Sequence, residues 1–421
     1  MTEIAILHYA APPTVGGVET TIAHHARGLR RMGYRVRLIA GAPSSWDASE
    51  TSIPLLVDSR FSSSDAHVLA LKRDLDRGIV PEGFSAFQKE VTNALRDALR
   101  GCPICIAHNV PTLHKNLALS AALETLCQEG AIRLIAWCHD LAWTNDLYAP
   151  ELHPGEAWDV IRRSWVGTRY VTVSEARRQE VARLLDLPPP SVMVIPPGVD
   201  LVAFLHWTPA MQHLAEMLNL PAADVILLLP ARLTRRKNIA LALSVLAHLR
   251  RLSGADVRLV VTGPPGAHNP ANPGYLGELL NQRAALGLED SAHFLYALGE
   301  GDTPFIPDDA TLANLYGLAD ALFFPSTQEG FGIPMLEAGL VGLPIFCADL
   351  PPLRETGGET ATYFDPVNAA PQDLAAAIWN ALRTNPLHTM RVRVRQHYCW
   401  EAILRNHLHP LIQSLLEDTD R

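Results

Sequence analysis

Short runs of apolar, β-branched residues alternate with longer amphipathic segments from one end of the chain to the other. Runs of four to six residues without polar alternation are typical of parallel strands that are buried on both faces. The sequence therefore predicts an α/β fold of doubly wound parallel sheets, with ligands bound beyond the carboxyl ends of the strands. In the first half, strands are predicted at residues 4–8, 36–40, 104–108, 134–138, 170–173 and 192–195.

A proline-rich stretch divides the chain into two halves of similar texture. Residues 188–200 contain five prolines, and proline clusters stop helices and stiffen connections. We therefore expect an N-terminal domain over residues 1–198, a C-terminal domain over 199–390 and a helical tail over 391–421. In the second half, strands are predicted at residues 225–229, 257–262, 293–296, 321–324 and 344–347.

Amphipathic segments between the strands predict the helices. They lie at residues 18–32, 86–100, 174–185, 238–252, 312–319, 334–341 and 371–383. Segment 41–84 departs from this pattern, because it is rich in Ser and Asp and only weakly periodic. We expect an irregular insertion or mobile loop there.

Composition narrows the class of protein. The 421 residues are 48% hydrophobic and 19% charged, which allows sizeable cores. A net charge of −9 argues against a nucleic-acid binder, and no apolar run is long enough to span a bilayer. The N-terminus lacks the basic start and cleavage site of a signal peptide, and six scattered cysteines are too few for a disulfide framework. We expect a soluble, cytoplasmic protein.

The most informative stretch is STQEGFGIPMLEAGL, residues 326–340. Gly330 and Gly332 lie between a predicted strand and a predicted helix, where they allow backbone N–H groups to approach a ligand. Glu329 precedes this turn and Glu337 lies one turn inside the helix, so both carboxylates can accept hydrogen bonds from sugar or ribose hydroxyls. The alternative interpretation is a tight turn with two solvated acids.

Two basic residues follow the first strand of the second half. Arg232 and Lys237 come after predicted strand 225–229, so they lie at the carboxyl end of that strand and face the ligand crevice. Because Arg235 and Arg236 lie between them, a solvated basic loop is the alternative interpretation.

Three further candidate residues follow strands of the first half. Gly16 and Gly17 open a predicted helix, and the free N–H groups there suit an anionic ligand. Because this pair is not GxGxxG and no acidic residue lies where a dinucleotide ribose needs one, a nicotinamide or flavin dehydrogenase is disfavoured. His139 follows predicted strand 134–138, where a histidine can also be a purely structural hydrogen-bonding residue.

The ordered set of motifs resembles the retaining glycosyltransferases of family 4. Two glutamates separated by seven residues around GFG resemble the signature of that family. The other segments follow the family's order: GGVE at 16–19, HD at 139–140, VS at 173–174, IPPGVD at 195–200 and ARLTRRKN at 231–238. Together the motifs cover residues 4 to about 365.

The resemblance implies the GT-B fold, with two Rossmann-like domains facing each other across a cleft and C-terminal helices that cross back to the N-terminal domain. It implies metal-independent transfer of a hexose, glucose or mannose, from a UDP- or GDP-linked sugar to an acceptor hydroxyl, without a cofactor. The acceptor would be a carbohydrate, a small molecule or a lipid-linked molecule. For a lipid-linked acceptor, the basic run at residues 27–37 could hold the protein at the inner membrane surface. The alternative is that these basic residues only interact favourably with the dipole at the C-terminus of a helix.

The resemblance also assigns site residues. Catalytic roles fall on His139, Arg232, Lys237 and Glu329. By this resemblance His139 would position the sugar and would not act as the general base, because the departing phosphate of such enzymes takes the proton of the acceptor. Donor binding falls on a larger set: Gly16, Gly17, Arg232, Lys237, Gly263, Glu329, Gly330, Phe331, Gly332, Ile333 and Glu337. The base is expected near residues 263–265 and 296–298, and the acceptor near 41–84 and 109–116.

Two alternatives share the architecture. A sugar-nucleotide epimerase would need proton-abstracting acids in addition to the residues of the donor site, and the sequence offers no corresponding set. A homologue that binds a nucleotide sugar or a partner protein without catalysis is disfavoured, because Arg232, Lys237, Glu329 and Glu337 are all present.

Overall fold

A computed structural model describes residues 2–13, 16–266, 272–299 and 303–417. The chain divides into two compact units. The first comprises Met1–Gly198 together with Trp400–Arg421, and the second comprises Val199–Cys399.

The first unit is built on a parallel sheet of seven strands in the order β3-β2-β1-β4-β5-β6-β7. The order reverses between β1 and β4, which is the switch point of a Rossmann-like sheet. The strands are β1 (Glu3–His8), β2 (Arg35–Ala40), β3 (Leu55–Val57), β4 (Ile104–His108), β5 (Arg133–Cys138), β6 (Thr168–Thr172) and β7 (Val192–Val194).

The second unit repeats this topology in a parallel sheet of six strands, β10-β9-β8-β11-β12-β13. Its switch point lies between β8 and β11. The strands are β8 (Val225–Leu229), β9 (Val257–Val261), β10 (Ala292–Phe294), β11 (Ala321–Phe324), β12 (Ile345–Ala348) and β13 (Thr362–Phe364). Two Rossmann-like domains in one chain are the architecture of the GT-B class.

Helices connect successive strands in both units. In the first unit they are α1 (Gly17–Arg31), α2 (Ala48–Thr51), α3 (Ala66–Leu75), α4 (Phe84–Ala98), α5 (Leu117–Gln128), α6 (Glu156–Asp159) and α7 (Glu175–Leu184). In the second they are α8 (Leu201–Phe204), α9 (Pro209–Met217), α10 (Ile239–Ser253), α11 (Asn272–Ala285), α12 (Asp309–Leu318), α13 (Ile333–Leu340), α14 (Pro351–Gly357), α15 (Pro371–Arg383) and α16 (Pro386–Arg393). None of the described helices is long and apolar enough to cross a bilayer.

Each sheet has a hydrophobic core on both faces, which is why its strands read as continuous apolar runs. In β1, Ile4 and Ile6 pack into one core of the first unit, whereas Ala5 and Leu7 pack into the other. The C-terminal segment contributes to the first of these cores. It consists of α17 (Trp400–Ile403), a π-helical turn (Leu404–Leu408) and α18 (His409–Glu417).

The tail leaves the second unit later than expected. Residues 391–399, assigned to the tail from the sequence, belong to the second unit. The reason is a buried ion pair: the Arg395 guanidinium donates two hydrogen bonds of 2.8 Å to the carboxylate of Asp320, just before β11. Only from Trp400 onward does the chain pack with the first unit.

Segment 41–84 is not the irregular insertion predicted from its composition. It forms α2, the edge strand β3 and α3. Asp65 caps α3 by accepting hydrogen bonds from the backbone N–H groups of His67 and Val68, and Phe61 is fully buried in the core. The polar residues that suggested a loop therefore serve as helix caps and turns.

Candidate active site

In the second unit, the candidate residues gather at the carboxyl edge of the sheet. Lys237 follows β8, and Glu329 follows β11. Because β8 and β11 flank the switch point, the two loops meet in the crevice where Rossmann-like sheets bind ligands. Two hydrogen bonds tie the loops together: Thr327 N donates to Arg236 O at 2.7 Å, and Arg236 Nη1 donates to Gln328 O at 3.1 Å.

Lys237 and Glu329 form an ion pair through Lys237 Nζ and Glu329 Oε1. Both side chains are largely buried, with 11% and 9% of their surface exposed. The Lys237 ammonium also lies 4.9 Å from the centre of the Phe324 ring. Such a partly desolvated ammonium interacts more strongly with an anion than one in water does.

The other basic residues of this loop differ from Lys237. Arg235 pairs with Glu278 at 2.6 Å and lies over the Tyr275 ring, so its charge is already engaged at the surface. Arg236 Nη1 lies 3.6 Å from Glu329 Oε2. Arg232 is exposed in the same loop, just beyond β8. In this loop, Arg235 is therefore a surface residue, whereas Lys237 is a buried cation.

The glycine-rich turn after Glu329 opens α13. Gly332 has a φ of 100°, a left-handed conformation that favours glycine, and a Cβ there would lie 2.5 Å from Leu353 Cδ2. Phe331 and Ile333 are exposed, at 53% and 59%, and a Cβ on Gly330 would meet open space. Backbone N–H groups at the start of α13 are therefore accessible to a ligand.

Glu337 lies one turn into α13 and is oriented by a tyrosine from another helix. Tyr316, in α12, donates a hydrogen bond of 2.6 Å from its hydroxyl to Glu337 Oε2. Burial raises the pKa of Tyr316, so the phenol stays protonated and acts as a donor. Sequence reasoning missed Tyr316, because nothing in the local pattern of α12 distinguishes it from a core residue.

Gly263, beyond β9, lies against the loop that carries Arg232. Its N–H donates to Ala231 O at 3.1 Å, and a Cβ at this position would lie 2.4 Å from the same oxygen. Only glycine fits this close approach. Tyr296 follows the neighbouring strand β10 and is half-buried, so the residues expected near the base lie along the same sheet edge.

In the first unit, Gly16 and Gly17 form the N-terminus of α1, the helix that follows β1. The Gly16 carbonyl accepts the first helical hydrogen bond, from Thr20 N at 3.0 Å. Glu19 lies in the first turn, 3.7 Å from Nε2 of His8 at the end of β1. The His8 ring beside it lowers the pKa of Glu19.

His139 lies beyond β5 and bonds to a second histidine. Its Nε2 lies 2.9 Å from Nδ1 of His108, the last residue of β4. Asn109 holds the loop from the other side: its Oδ1 accepts from the N–H groups of His139 and Asp140, at 2.9 and 3.1 Å. The backbone of Asn109 is left-handed, with a φ of 60°.

Burial keeps these imidazoles neutral. It lowers the pKa of His139 to about 4 and that of His108 well below its ordinary value. His25, on α1, packs behind His108 with a ring-centre distance of 5.4 Å, and burial lowers its pKa to about 3. Sequence reasoning selected His139 alone, although His8 and His108 also end strands of the same sheet.

The first unit also holds one group of potential metal ligands, formed by Asp76, His114 and Glu151, whose ligand atoms lie within 4.8 Å of one another. Lys72 Nζ lies 2.7 Å from both oxygens of Asp76 and 2.9 Å from Glu151 Oε2. The Lys72 ammonium therefore bridges the two carboxylates, and the group is a salt-bridge network.

Two sequence models of glycosyltransferases match the chain, one for each unit. "Glycosyltransferase Family 4" matches residues 15–202, and "Glycosyl transferases group 1" matches residues 212–396. The chain belongs to glycosyltransferase family 4. It is therefore an enzyme of the glycosyltransferase class with the GT-B architecture.

Similar proteins carry related names. A D-inositol 3-phosphate glycosyltransferase of Saccharomonospora viridis is 29% identical over 79% of this chain and 73% of its own. A protein of the same name from Salinispora tropica is 26% identical over 99% and 84%. Mannosylglucosylglycerate synthase of Petrotoga mobilis is 21% identical over 83% of both chains. A solved sucrose-phosphate synthase from Thermosynechococcus elongatus covers 99% of this chain and 100% of its own at 18% identity, with a TM-score of only 0.40.

Proposed function

We propose that this family 4 glycosyltransferase transfers a hexose, glucose or mannose, from a UDP- or GDP-linked sugar to an acceptor hydroxyl, with retention of anomeric configuration and without a metal ion. The observation that carries the proposal is the buried Lys237 ammonium at the switch point of the second sheet, beside Glu329 and the open N-terminus of α13. These groups offer a cation and backbone donors to an anion, and carboxylates to hydroxyls.

In this proposal Lys237 and Arg232 bind the diphosphate. The bond between the sugar's anomeric carbon and the diphosphate oxygen breaks, and negative charge accumulates on that oxygen. Cations fixed beside it stabilise the transition state more than the ground state. The N–H groups of the turn from Gly330 to Ile333 add donors at the start of α13. Gly263 allows the loop that carries Arg232 to lie close to the end of β9.

The two glutamates would bind different parts of the donor. Glu337, held by Tyr316, accepts hydrogen bonds from the ribose hydroxyls. Glu329, paired with Lys237, accepts from hydroxyls of the transferred sugar while it holds the ammonium next to the leaving group. This division follows from the position of Glu329 before the turn and of Glu337 inside α13.

The first unit would supply His139 and the N-terminus of α1. His139 donates a hydrogen bond to the transferred sugar and positions it. The acceptor oxygen forms the new bond to the anomeric carbon, and its proton passes to the departing diphosphate, so that no protein base is consumed. The N–H groups at Gly16 and Gly17 contribute donors to an anionic group of the donor or acceptor.

The acceptor would be a small polyhydroxylated molecule. The names of the similar proteins include an inositol phosphate and a mannosylglucosylglycerate, both of them small, hydroxyl-rich and anionic. We propose an acceptor of this chemistry, rather than a lipid-linked one.

The test is a panel of UDP- and GDP-linked glucose and mannose, each mixed with candidate acceptors, with mass spectrometry of all products. A glycosylated acceptor with the anomeric configuration of the donor supports the proposal. An epimerised nucleotide sugar would favour an epimerase, and binding without any product would favour a non-catalytic protein.

A further inference from the structure

Behind His139 lies a cluster of buried polar rings that the proposed chemistry does not use. His25, His108 and Trp137 pack together, with ring centres 4.4 Å apart for His25 and Trp137 and 5.5 Å apart for His108 and Trp137. The cluster contacts His139 through the 2.9 Å hydrogen bond between His108 Nδ1 and His139 Nε2.

Several nitrogens of this cluster are buried without a hydrogen-bond partner among the described residues. They are both ring nitrogens of His25, Nε2 of His108 and Nε1 of Trp137. Buried N–H groups are seldom left unpaired, because each costs about 1–3 kcal/mol. The cluster therefore favours the tautomers that leave the fewest N–H groups unpaired.

Counting donors and acceptors separates the two tautomers of His108. The indole N–H of Trp137 can only donate, and a neutral His25 supplies one donor and one acceptor. None of these nitrogens hydrogen-bonds another of them in the structure. If Nε2 of His108 is unprotonated, the cluster leaves two N–H groups unpaired, one on Trp137 and one on His25; if Nε2 carries the proton, it leaves three.

From this count we infer that His108 is a positioning residue. It donates a hydrogen bond from Nδ1–H to Nε2 of His139, and this bond fixes His139 as the tautomer that carries its proton on Nδ1. Since Nε2 of His139 is then an occupied acceptor, Nδ1–H is the ring group left to meet a ligand. His139 is partly exposed, and the N–H groups of its loop are fixed by Asn109.

The inference rests on the proposed function for its consequence, because a fixed Nδ1–H donor matters only if His139 contacts the sugar. A donor with a fixed direction needs no reorientation when the substrate binds. Loss of His108 should then lower kcat more than it raises KM for the donor. A purely structural role would instead lower the melting temperature and leave the kinetics of the folded protein unchanged.

The experiment compares His108→Asn with His108→Leu. The Asn side chain can place an amide N–H close to the position of the histidine Nδ1–H, whereas Leu removes the donor and keeps the volume apolar. Both are studied beside the wild-type protein by NMR with ¹⁵N-labelled histidine rings, in which the His139 signals are identified by their loss in His139→Gln. This measurement needs neither donor sugar nor turnover.

We expect Nδ1 of His139 to be protonated and Nε2 to be unprotonated in the wild type and in His108→Asn, with a mixture of tautomers in His108→Leu. In steady-state assays His108→Asn should keep kcat within about threefold, and His108→Leu should lose 10-fold or more. A proton on Nε2 of His139 in the wild type, or the same tautomer in His108→Leu, would overturn the inference. If the NMR result holds but no sugar is transferred, the proposed function fails and the positioning role stands.

Discussion

Lys237 and Glu329, 92 residues apart in the chain, form an ion pair at the switch point of the second sheet. The pair joins the loop after β8 to the loop after β11. A diphosphate bound there would share the Lys237 ammonium with a carboxylate that is already in place. The positive charge is thus fixed in position before any ligand binds, which is the arrangement that electrostatic catalysis requires.

Replacing either residue that is proposed to bind the diphosphate should slow catalysis. We expect Lys237→Ala and Arg232→Ala each to lower turnover by roughly 10²-fold or more, because each removes a cation from the growing negative charge. Arg235→Ala is the matched control in the same loop, since Arg235 is paired with Glu278 at the surface. Steady-state kinetics decide the matter, and wild-type turnover in folded Lys237→Ala would refute the assignment.

The same ion pair predicts an effect on stability that separates structure from catalysis. Lys237→Ala leaves the largely buried Glu329 carboxylate without its closest cation, which can cost up to about 3–5 kcal/mol. The double variant Lys237→Met/Glu329→Gln removes both charges and should recover much of the free energy of unfolding, while staying inactive. Urea unfolding with activity assays measures both. If the double variant recovers activity as well as stability, the pair has only a structural role.

Activity should survive an excess of chelator. In the proposed site the cations of Lys237 and Arg232 and the start of α13 take the place of a metal ion at the diphosphate. Turnover with and without EDTA checks this directly. Loss of activity with EDTA and recovery with manganese or magnesium would show that the phosphate chemistry depends on a metal.

Replacing each of the two glutamates should weaken the binding of different ligands. Glu337→Ala should weaken binding of the free nucleoside diphosphate and the intact donor alike, by roughly 1.5–3 kcal/mol, because it loses hydrogen bonds to the ribose. Glu329→Ala should leave the nucleoside diphosphate nearly unaffected and impair the donor and turnover. Tyr316→Phe should resemble a weaker Glu337→Ala, since it removes the hydrogen bond that orients Glu337. Competition binding tests this division; equal losses for both ligands in both glutamate variants would contradict it.

Buried neutral histidines should make the protein sensitive to acid. The pKa of His25 is about 3 in the folded protein and near 6.5 when unfolded. Between these values the unfolded chain binds a proton that the native state lacks, so stability falls as the pH drops from 6.5 towards 3. One such proton changes the free energy of unfolding by up to about 1.4 kcal/mol per pH unit. His25→Phe should therefore lose less stability than the wild type between pH 7 and pH 5, as measured by urea unfolding; parallel losses would contradict this.

The central strands were predicted from the sequence, whereas two of the four edge strands were not. β8 and β11 have the predicted bounds, because every residue in them is buried and apolar. β3 and β13 were missed: each has three residues and lies at the edge of its sheet, half-exposed, so neither shows a buried run.

The candidate site likewise has features that were predicted from the sequence and features that were not. Lys237 and Glu329 were selected because each follows a predicted strand, and strand ends can be identified in the sequence. The hydrogen bonds of Tyr316 and His108 could not be predicted. Each joins side chains from different elements, and their pairing depends on how those elements pack.

The most direct test of the central claim is the melting temperature of the protein with UDP, GDP and their glucose and mannose conjugates. A ligand that binds only the folded state raises the melting temperature by mass action. The account predicts that nucleotides of one base stabilise the wild type and Arg235→Ala, and stabilise Lys237→Met/Glu329→Gln much less. If no nucleotide shifts the wild type, or if all three proteins shift equally, the carboxyl edge of the second sheet is not the donor site.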